Sequence, residues 1–222
     1  MKPVVNNAKA AIQALLFWLV PFSAAAEVRG SDGALYSDRI VVKSYTGLED
    51  IYDTVIGRVL INVPIEKPVL MLTQTEKFTH WVHSLVDTEV VKEHTPADKT
   101  LHIVFSAPLG IKNRDAYLRF TYRRVNHLFT MTLAQEKAYP ESDNAVRMTD
   151  IKGHFRFEDV GNGQLAAELK LHINPNHRPI FAVNANTRSV VKNTLRNFIA
   201  HTERQKTVTV IPNKLASAMA VR

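Results

Sequence analysis

The stretch that decides the fold is "QLAAELKLHINPNHRPIFAVNANTRSVVKNTLRNFIAHTER", residues 164–204. In its first eleven residues apolar side chains occupy every second position, which is typical of a strand with one buried face. From Pro179 to Arg204 the apolar spacing changes to three and four, which predicts a helix. At 1.5 Å per residue this helix is roughly 37 Å long, enough to lie across a curved sheet. The stretch therefore predicts a strand followed by one long covering helix.

The residues before this stretch predict the sheet that the helix covers. An early strand at 56–63 ends at Pro64, and the apolar spacing of 65–85 predicts two short helices. Patterns of period two then recur, separated by turn signals such as "TPAD", "YPESDN" and "GNG". Strands in such succession form an antiparallel meander. The predicted strands are 87–94, 99–107, 114–124, 127–136, 145–160 and 164–174.

We therefore expect an α+β fold in which a curved antiparallel sheet wraps around the long C-terminal helix. A single rod-like helix cannot fill a concave sheet, and a largely apolar pocket between them is the default binding site. Small or hydroxyl-bearing residues at expected inward positions, namely Ala116, Ala167, Thr130 or Thr132, Thr187 and Thr194, favour a cavity over a filled core. The predicted cavity residues are Ile103, Phe105, Leu118, Phe120, Met131, Met148, Phe155, Leu169, Leu171, Val183, Thr187, Val190, Val191 and Thr194.

In their order and spacing these segments resemble the START (lipid-transfer) domain family, within the helix-grip or SRPBCC-like superfamily. "GIKNRDAYLRF" (110–120) is similar to the family's Arg-Asp strand start, and "AVRMTDIKGHFRFEDVGNGQLAAELKLHINPN" (145–176) to its Gly-containing strand pair. "RPIFAVNANTRSVVKNTLRNFI" (178–199) resembles its helix, and "GRVLINVPIEKPVLMLTQTEKFTHWV" (57–82) its first strand and short helices. The resemblance, over about residues 40–204, implies a helix-grip fold that binds one lipid or other hydrophobic molecule between sheet and helix. It also implies frequent transfer between membranes, and no chemistry.

The sequence departs from this family in two ways. The family's long N-terminal helix has little room before the first strands. Some sterol-carrying members also hold a buried acid and arginine in the cavity, whereas the nearby inward positions here are Phe105 and Phe120. A sterol bound through that ion pair is therefore not expected.

Arg114 and Asp115 stand side by side at the start of a predicted strand and could be a catalytic acid with its electrostatic partner. Adjacent strand residues point to opposite faces, however, so the two cannot converge on one substrate atom without a bulge. We interpret the pair as a structural clasp through a salt bridge or turn. On the same grounds we expect no catalytic residues.

Two further groups have the residue types of a functional site. His80 and His83 have a helical spacing that can hold a metal, but no third ligand accompanies them, so we expect surface histidines and no metal. Asp150, His154, Glu168 and His172 could form an acid-base set, although alternation places the last three on the solvent face as a cross-strand charge pattern.

The first 26 residues have the pattern of a secretory signal peptide. A head with Lys2 and Lys9 and no acid precedes the apolar run "AAIQALLFWLV", and "AAA" stands before Glu27. An uncleaved anchor is the alternative, but the run is short for a bilayer of roughly 30 Å. We expect cleavage after Ala26, a periplasmic location in a bacterium, a binding domain at 27–206 and a tail at 207–222. In the tail we expect a short extended piece that ends at Pro212.

Composition narrows the function classes. The chain has no cysteine, which excludes disulfides, thiol catalysis and a lipoprotein anchor on cysteine. The net charge of +7 falls to +5 when the two lysines of the leader are removed. The sequence has no run of like charge, so an anionic membrane surface is a better partner than nucleic acid. We expect a monomeric, cofactor-free carrier of a lipid or other hydrophobic molecule. The alternatives are a cyclase- or hydrolase-like enzyme on the same scaffold, and an interaction module with a filled core.

Overall fold

One curved sheet and one long helix make up most of the computed structural model, which describes residues 39–107, 110–141, 143–205 and 210–220. The strands are β1 (Val41–Thr46), β2 (Asp53–Ile61), β3 (Leu85–Thr95), β4 (Asp98–Phe105), β5 (Asn113–Val125), β6 (Leu128–Gln135), β7 (Ala145–Arg147), β8 (Thr149–Gly161) and β9 (Gln164–Asn174). The helices are α1 (Glu66–Thr73), a 3₁₀ helix (Thr75–His80), α2 (Ile180–Arg204) and α3 (Asn213–Met219). The predicted α+β architecture, with two short helices after an early strand and a long helix near the end, is confirmed.

The sheet runs in the order β1-β2-β9-β8-β6-β5-β4-β3, with antiparallel neighbours throughout. β2 pairs with β9, the last strand, and not with β3, so the strand order of the sheet departs from the order along the chain at this point. β7 is an exception to the predicted antiparallel pattern, because it pairs with the start of β5 in parallel. The starts of β2, β5 and β8 and the ends of β4, β6 and β9 meet at one end of the sheet, which we call the mouth end.

Helix α2 begins at the mouth end and lies closely against β2. A Cβ atom added to Gly57 would lie 2.5 Å from Leu195 Cδ1 and 2.7 Å from Val191 Cγ1, so only glycine permits this approach. Another stripe of α2, at spacings of three and four, consists of Val183, Thr187, Val190 and Thr194. The helix is thus seated on one side of the sheet, and this second stripe lies next to unfilled space.

An aromatic cluster fills the space under the C-terminal half of α2. The Phe198 ring lies 5.0 Å from that of Trp81, 4.9 Å from that of Phe155 and 5.4 Å from that of Phe157, measured between centroids. Offset and edge-to-face contacts of this kind stabilise buried aromatic rings beyond their burial alone. The core is therefore filled at the far end of the sheet, and space remains toward the mouth end.

The C-terminal tail contains a short helix, α3. We expected a short extended piece that ends at Pro212; its residues 207–209 lie outside the described residues, and residues 210–212 are in neither helix nor strand. Helix α3 begins directly after this proline, whose fixed φ suits a helix start. Met219 and Ile211 are buried, and Ala220 forms a parallel bridge with Arg124 at the end of β5. A helix this short is marginal in isolation, so these contacts with the rest of the fold stabilise it.

None of the helices in the described part of the chain combines the length and the apolar character needed to cross a bilayer. The predicted signal peptide, residues 1–26, lies outside the described residues.

Candidate ligand cavity

An inner cavity of about 80 Å³ lies between the sheet and α2. Side chains from β4, β5, β6, β8 and β9 form its floor, and Trp81 and Val190 contribute to the opposite side. Among the described residues its lining is apolar except for the Thr194 hydroxyl and the Trp81 indole N–H, and none of these lining residues is titratable. The Thr194 hydroxyl accepts a hydrogen bond from the His83 backbone N–H at 3.1 Å. The inner cavity therefore suits a hydrocarbon group and offers little to a polar one.

An outer cavity of about 500 Å³ lies at the mouth end. It is formed by the residues after β4, the start of β5, the turn after β9 and the first three turns of α2. Phe105, Met148, Ile173 and Val190 line both cavities, so the two adjoin. Exposed residues such as Ser106, Ile111 and Asn186 also line the outer cavity, which therefore opens to solvent.

The structure brings nearly all of the predicted cavity residues together. From Val183 to Thr194 the helix spans about 16 Å, which gives the length of the combined space along α2. The predicted residues that line the inner cavity are Ile103, Phe105, Leu118, Phe120, Met131, Met148, Phe155, Leu169, Leu171, Val190 and Thr194. Those that line the outer cavity are Phe105, Met148, Val183, Thr187 and Val190.

Val191 is the exception, since it lines neither cavity. It is fully buried and contacts β2 at Gly57. One residue along a helix turns the side chain by about 100°, so Val190 and Val191 cannot both face the same space. The predicted role of Val191 as a cavity residue is therefore corrected to helix-to-sheet packing.

The predicted inward hydroxyls are also corrected in part. Phe129, Met131 and Leu133 are the buried residues of β6, so Thr130 and Thr132 point to the outer face of the sheet. Thr187 is buried beside the outer cavity, but its hydroxyl donates to the Val183 carbonyl of its own helix at 3.0 Å. These hydroxyl groups therefore do not create polar sites in the inner cavity.

Sequence reasoning missed several residues of the cavity walls. Leu133 and Ile173 continue the period-two pattern of β6 and β9, so alternation alone could have included them. Trp81, Val82 and Leu85 follow the 3₁₀ helix and stand three, four and seven residues after Phe78, so the helical spacing predicted for this segment could also have placed them on one face. The full set of additional inner-cavity residues is Phe78, Trp81, Val82, Leu85, Leu133, Ile151 and Ile173.

Arg114 and Asp115 diverge, as strand alternation requires, and each has its own partners. Arg114 lines the outer cavity, with its Nε donating to the Pro175 carbonyl at 3.1 Å and its Nη1 donating to the Lys112 carbonyl. Asp115 is fully buried on the opposite face of β5. The pair predicted as one structural clasp thus contributes to two separate places.

Asp115 is the centre of a buried ionic cluster on the outer face. Arg147 donates to both carboxylate oxygens at 3.0 and 2.9 Å, and His102 Nε2 lies 3.0 Å from Oδ2. The Tyr117 ring stacks between those of His102 and Tyr139, at 4.5 and 4.2 Å. Burial alone would raise the pKa of Asp115, but the hydrogen bonds from Arg147 and His102 outweigh it and hold this pKa below its usual range.

The four residues considered as an acid-base set separate into two groups on the outer face. His154 Nε2 lies 2.7 Å from Glu168 Oε1, and Arg58 binds the other oxygen of Glu168 at 2.5 Å. Burial would raise the pKa of Glu168, but the contacts with His154 and Arg58 lower it overall. These residues lie on the face away from the cavity and thus do not face a ligand there.

His172 was expected on the solvent face but is buried. Its Nδ1 lies 3.2 Å from the Thr54 hydroxyl, and its Nε2 lies 3.1 Å from Asp150 and 3.7 Å from Asp50. Within the described ranges this is the one group of three potential ligand residues close enough to hold a metal ion. Hydrogen bonds of the imidazole with the Thr54 hydroxyl and the Asp150 carboxylate account for its position without a metal ion.

A separate polar depression of about 260 Å³ lies at the far end of α2. Its basic lining residues are Lys77, His80, His201 and Arg204, and no carboxylate lines it. His80 therefore lies here, while the His83 backbone binds Thr194 beside the inner cavity. The two histidines do not share a group of metal ligands among the described residues.

Solved structures of similar shape come from bacteria and humans. A STAR-related lipid transfer protein from Xanthomonas axonopodis has a TM-score of 0.67 at 18% identity, covering 81% of this chain and 98% of that one. Human STARD10 has a TM-score of 0.67 at 14% identity, covering 91% and 82%. The protein has the START helix-grip fold. The predicted resemblance is thereby confirmed at the level of the fold.

The START fold also occurs in a protein named for catalysis. The Zhui aromatase/cyclase from Streptomyces sp. R1128 has a TM-score of 0.53 at 10% identity, covering 69% of this chain and 95% of that one. No protein-family profile and no curated protein matches the chain. The function of this START fold must therefore be argued from its own cavity.

Proposed function

We propose that this protein binds one lipid or comparable hydrophobic molecule between the sheet and α2 and carries it through an aqueous compartment. The observation that carries the proposal is the apolar inner cavity, which adjoins a larger outer cavity open at the mouth end. Burial of apolar surface contributes about 25 cal/mol per Å², so such a space can hold a hydrocarbon chain without specific polar contacts. The similarity to a protein named for lipid transfer supports the same reading.

The composition of the cavity supports a carrier more than an enzyme. General acid-base chemistry needs a titratable group within hydrogen-bond reach of the reacting atom. The inner cavity has no such group among the described residues, and the titratable groups of the outer cavity are Arg114 and His177. We therefore propose binding without chemistry, and a chemically altered ligand is the outcome that would favour a cyclase-like enzyme.

We further propose that the mouth end touches anionic membrane during loading or release. Phe181, at the start of α2, is 75% exposed, and Ile111 beside the outer cavity is 39% exposed. Lys112 and Arg178 are exposed in the same two segments. Exposed apolar side chains next to cations are typical of surfaces that bind anionic lipids.

The proposal that the protein is exported rests on the pattern of residues 1–26. N-terminal sequencing of the protein recovered from the periplasm tests it, and we expect a mature chain that begins at Glu27.

The decisive experiment is native mass spectrometry of the protein purified from the periplasm of its own host. We expect one lipid per chain, released unchanged by organic extraction. Val190→Trp would place an indole in the space that both cavities share, and this variant should carry no lipid. Ser189→Trp is the matched control, because residue 189 is exposed on the adjacent position of α2. Repeated absence of any lipid, with no binding of fluorescent lipids, would overturn the proposal.

A further inference from the structure

The mouth of the cavity contains a cation, Arg114, that no acidic side chain in the described part of the chain balances. Arg114 lines the outer cavity and donates two hydrogen bonds, to the neutral carbonyls of Pro175 and Lys112. A guanidinium has five N–H donors, so three remain available on Nη1 and Nη2. The neighbouring carboxylate, Asp115, is on the other face with Arg147 and His102. Within the described ranges, no carboxylate forms a salt bridge with Arg114 or lines the outer cavity.

The two carbonyls fix the position of this cation. Pro175 belongs to the turn between β9 and α2, and Lys112 immediately precedes β5, so Arg114 connects two sides of the mouth. A guanidinium held in this way has lost part of its side-chain freedom before any ligand arrives. Its remaining donors can bind an oxyanion through charge-assisted hydrogen bonds, which are about twice as strong as neutral ones.

Polarity changes in one direction through the combined cavity. The outer part contains Arg114, His177 and Asn186, whereas the polar side-chain groups that the described residues contribute to the inner part are the Thr194 hydroxyl and the Trp81 indole N–H. A fully apolar ligand that extended into the outer cavity would displace water from the guanidinium without supplying a charged partner, which is costly. An amphiphile with an anionic head satisfies both parts of the cavity.

We propose that the ligand is an anionic amphiphile whose carboxylate or phosphate binds Arg114 at the mouth while its hydrocarbon tail occupies the inner cavity. This inference rests on the proposed function and adds the charge and the orientation of the ligand. The shared chemistry is an oxyanion on a hydrocarbon tail, which a fatty acid or an acidic phospholipid can supply.

Binding of matched ligand pairs to the delipidated protein tests the charge. One pair is a fatty acid and the fatty alcohol of equal length, and the other is phosphatidic acid and the diacylglycerol with the same chains. For at least one pair, we expect the anionic member to bind about 10- to 100-fold more tightly, the usual effect of a hydrogen-bonded charge. The pair that shows the larger ratio identifies the carboxylate or the phosphate as the head.

Three variants at two positions of the same strand test where the anionic head binds. Arg114→Gln should reduce the preference for the anionic member to about threefold or less, while the neutral member binds as before. Arg123→Gln removes the same charge from an exposed position of β5 and should leave the preference unchanged. Arg114→Lys keeps the charge but not the guanidinium, so it should retain a reduced preference for the anionic member. This variant tests the role of Arg114 if Arg114→Gln does not fold.

The outcomes separate this inference from the proposed function. Equal binding of both members by the unmodified protein, or an undiminished preference in Arg114→Gln, would refute the role of Arg114 and leave a hydrophobic carrier in place. Failure of all four ligands to bind, together with an empty protein in native mass spectrometry, would instead refute the carrier function.

Discussion

Replacing Asp115 by asparagine keeps the shape of this side chain and removes its charge. The carboxylate is fully buried and receives two hydrogen bonds from Arg147 and one from His102. Arg147 itself is only 9% exposed, so the variant would leave a nearly buried cation with no carboxylate partner in this cluster. Breaking one side of a buried ion pair costs about 3–5 kcal/mol of unfolding free energy. We expect Asp115→Asn to lose stability in this range.

Thermal unfolding followed by circular dichroism measures this loss. For a domain of this size 1 kcal/mol corresponds to about 2–4 °C, so the midpoint should fall by about 6–20 °C. Asp98→Asn is the control, because Asp98 pairs with the half-exposed Arg119 on the same face at 2.6 Å. Surface ion pairs contribute about 0–1 kcal/mol, so this variant should change the midpoint by no more than about 4 °C.

A double mutant separates the cost of an unpaired charge from loss of packing. Arg147→Met combined with Asp115→Asn removes both charges and should be more stable than Asp115→Asn alone.

The pH dependence of stability has a defined sign, because the pKa of Asp115 is lowered in the folded protein. Its stabilisation is present above the unfolded-state pKa of about 3.9 and is lost as the pH falls through the lower native pKa. If Asp115→Asn lost no more unfolding free energy than Asp98→Asn, the buried ionic cluster around Asp115 would not stabilise the fold.

Three other changes test the packing and the mouth. Gly57→Ala should cost about 1–3 kcal/mol in urea unfolding, since the new methyl group would meet Leu195; an unchanged midpoint would contradict the close seating of α2. Met219→Ala should cost about 2–5 kcal/mol, since this side chain is 1% exposed, and a negligible cost would show that α3 does not dock. Phe181→Asp should weaken sedimentation with phosphatidylglycerol vesicles and leave ligand binding unchanged. Val160→Asp, also at an exposed site, should sediment like the unmodified protein. Equal losses of sedimentation in the two variants would contradict a specific membrane contact at Phe181.

Local pattern was sufficient for most of the fold. The helix predicted at Pro179–Arg204 is found at Ile180–Arg204, because its apolar spacing and its proline are both local signals. The strand alternation of Leu118 and Phe155 likewise predicted which face of the sheet is buried. Most of the cavity walls follow from these two periods.

The remaining features depend on contacts between distant segments. Burial of His172 requires Asp50 and Asp150, which its strand pattern cannot reveal. The parallel pairing of β7 with β5 arises from a three-residue strand, too short to show a period. Arg114 is different, because it stands two residues before Ala116 and alternation could have placed it at the mouth. We instead interpreted its charge as half of a structural pair with Asp115, and therefore did not predict that Arg114 faces the cavity.

The buried cluster around Asp115 has a consequence for the opposite face of β5. Adjacent residues share one backbone, so a carboxylate locked in place on one face limits the motion of the arginine on the other. A receptor group that is immobile before binding loses less conformational entropy when the ligand arrives. We therefore expect the buried ionic cluster to preorganise the cavity mouth, so that weakening the cluster reduces ligand selectivity in variants that still fold.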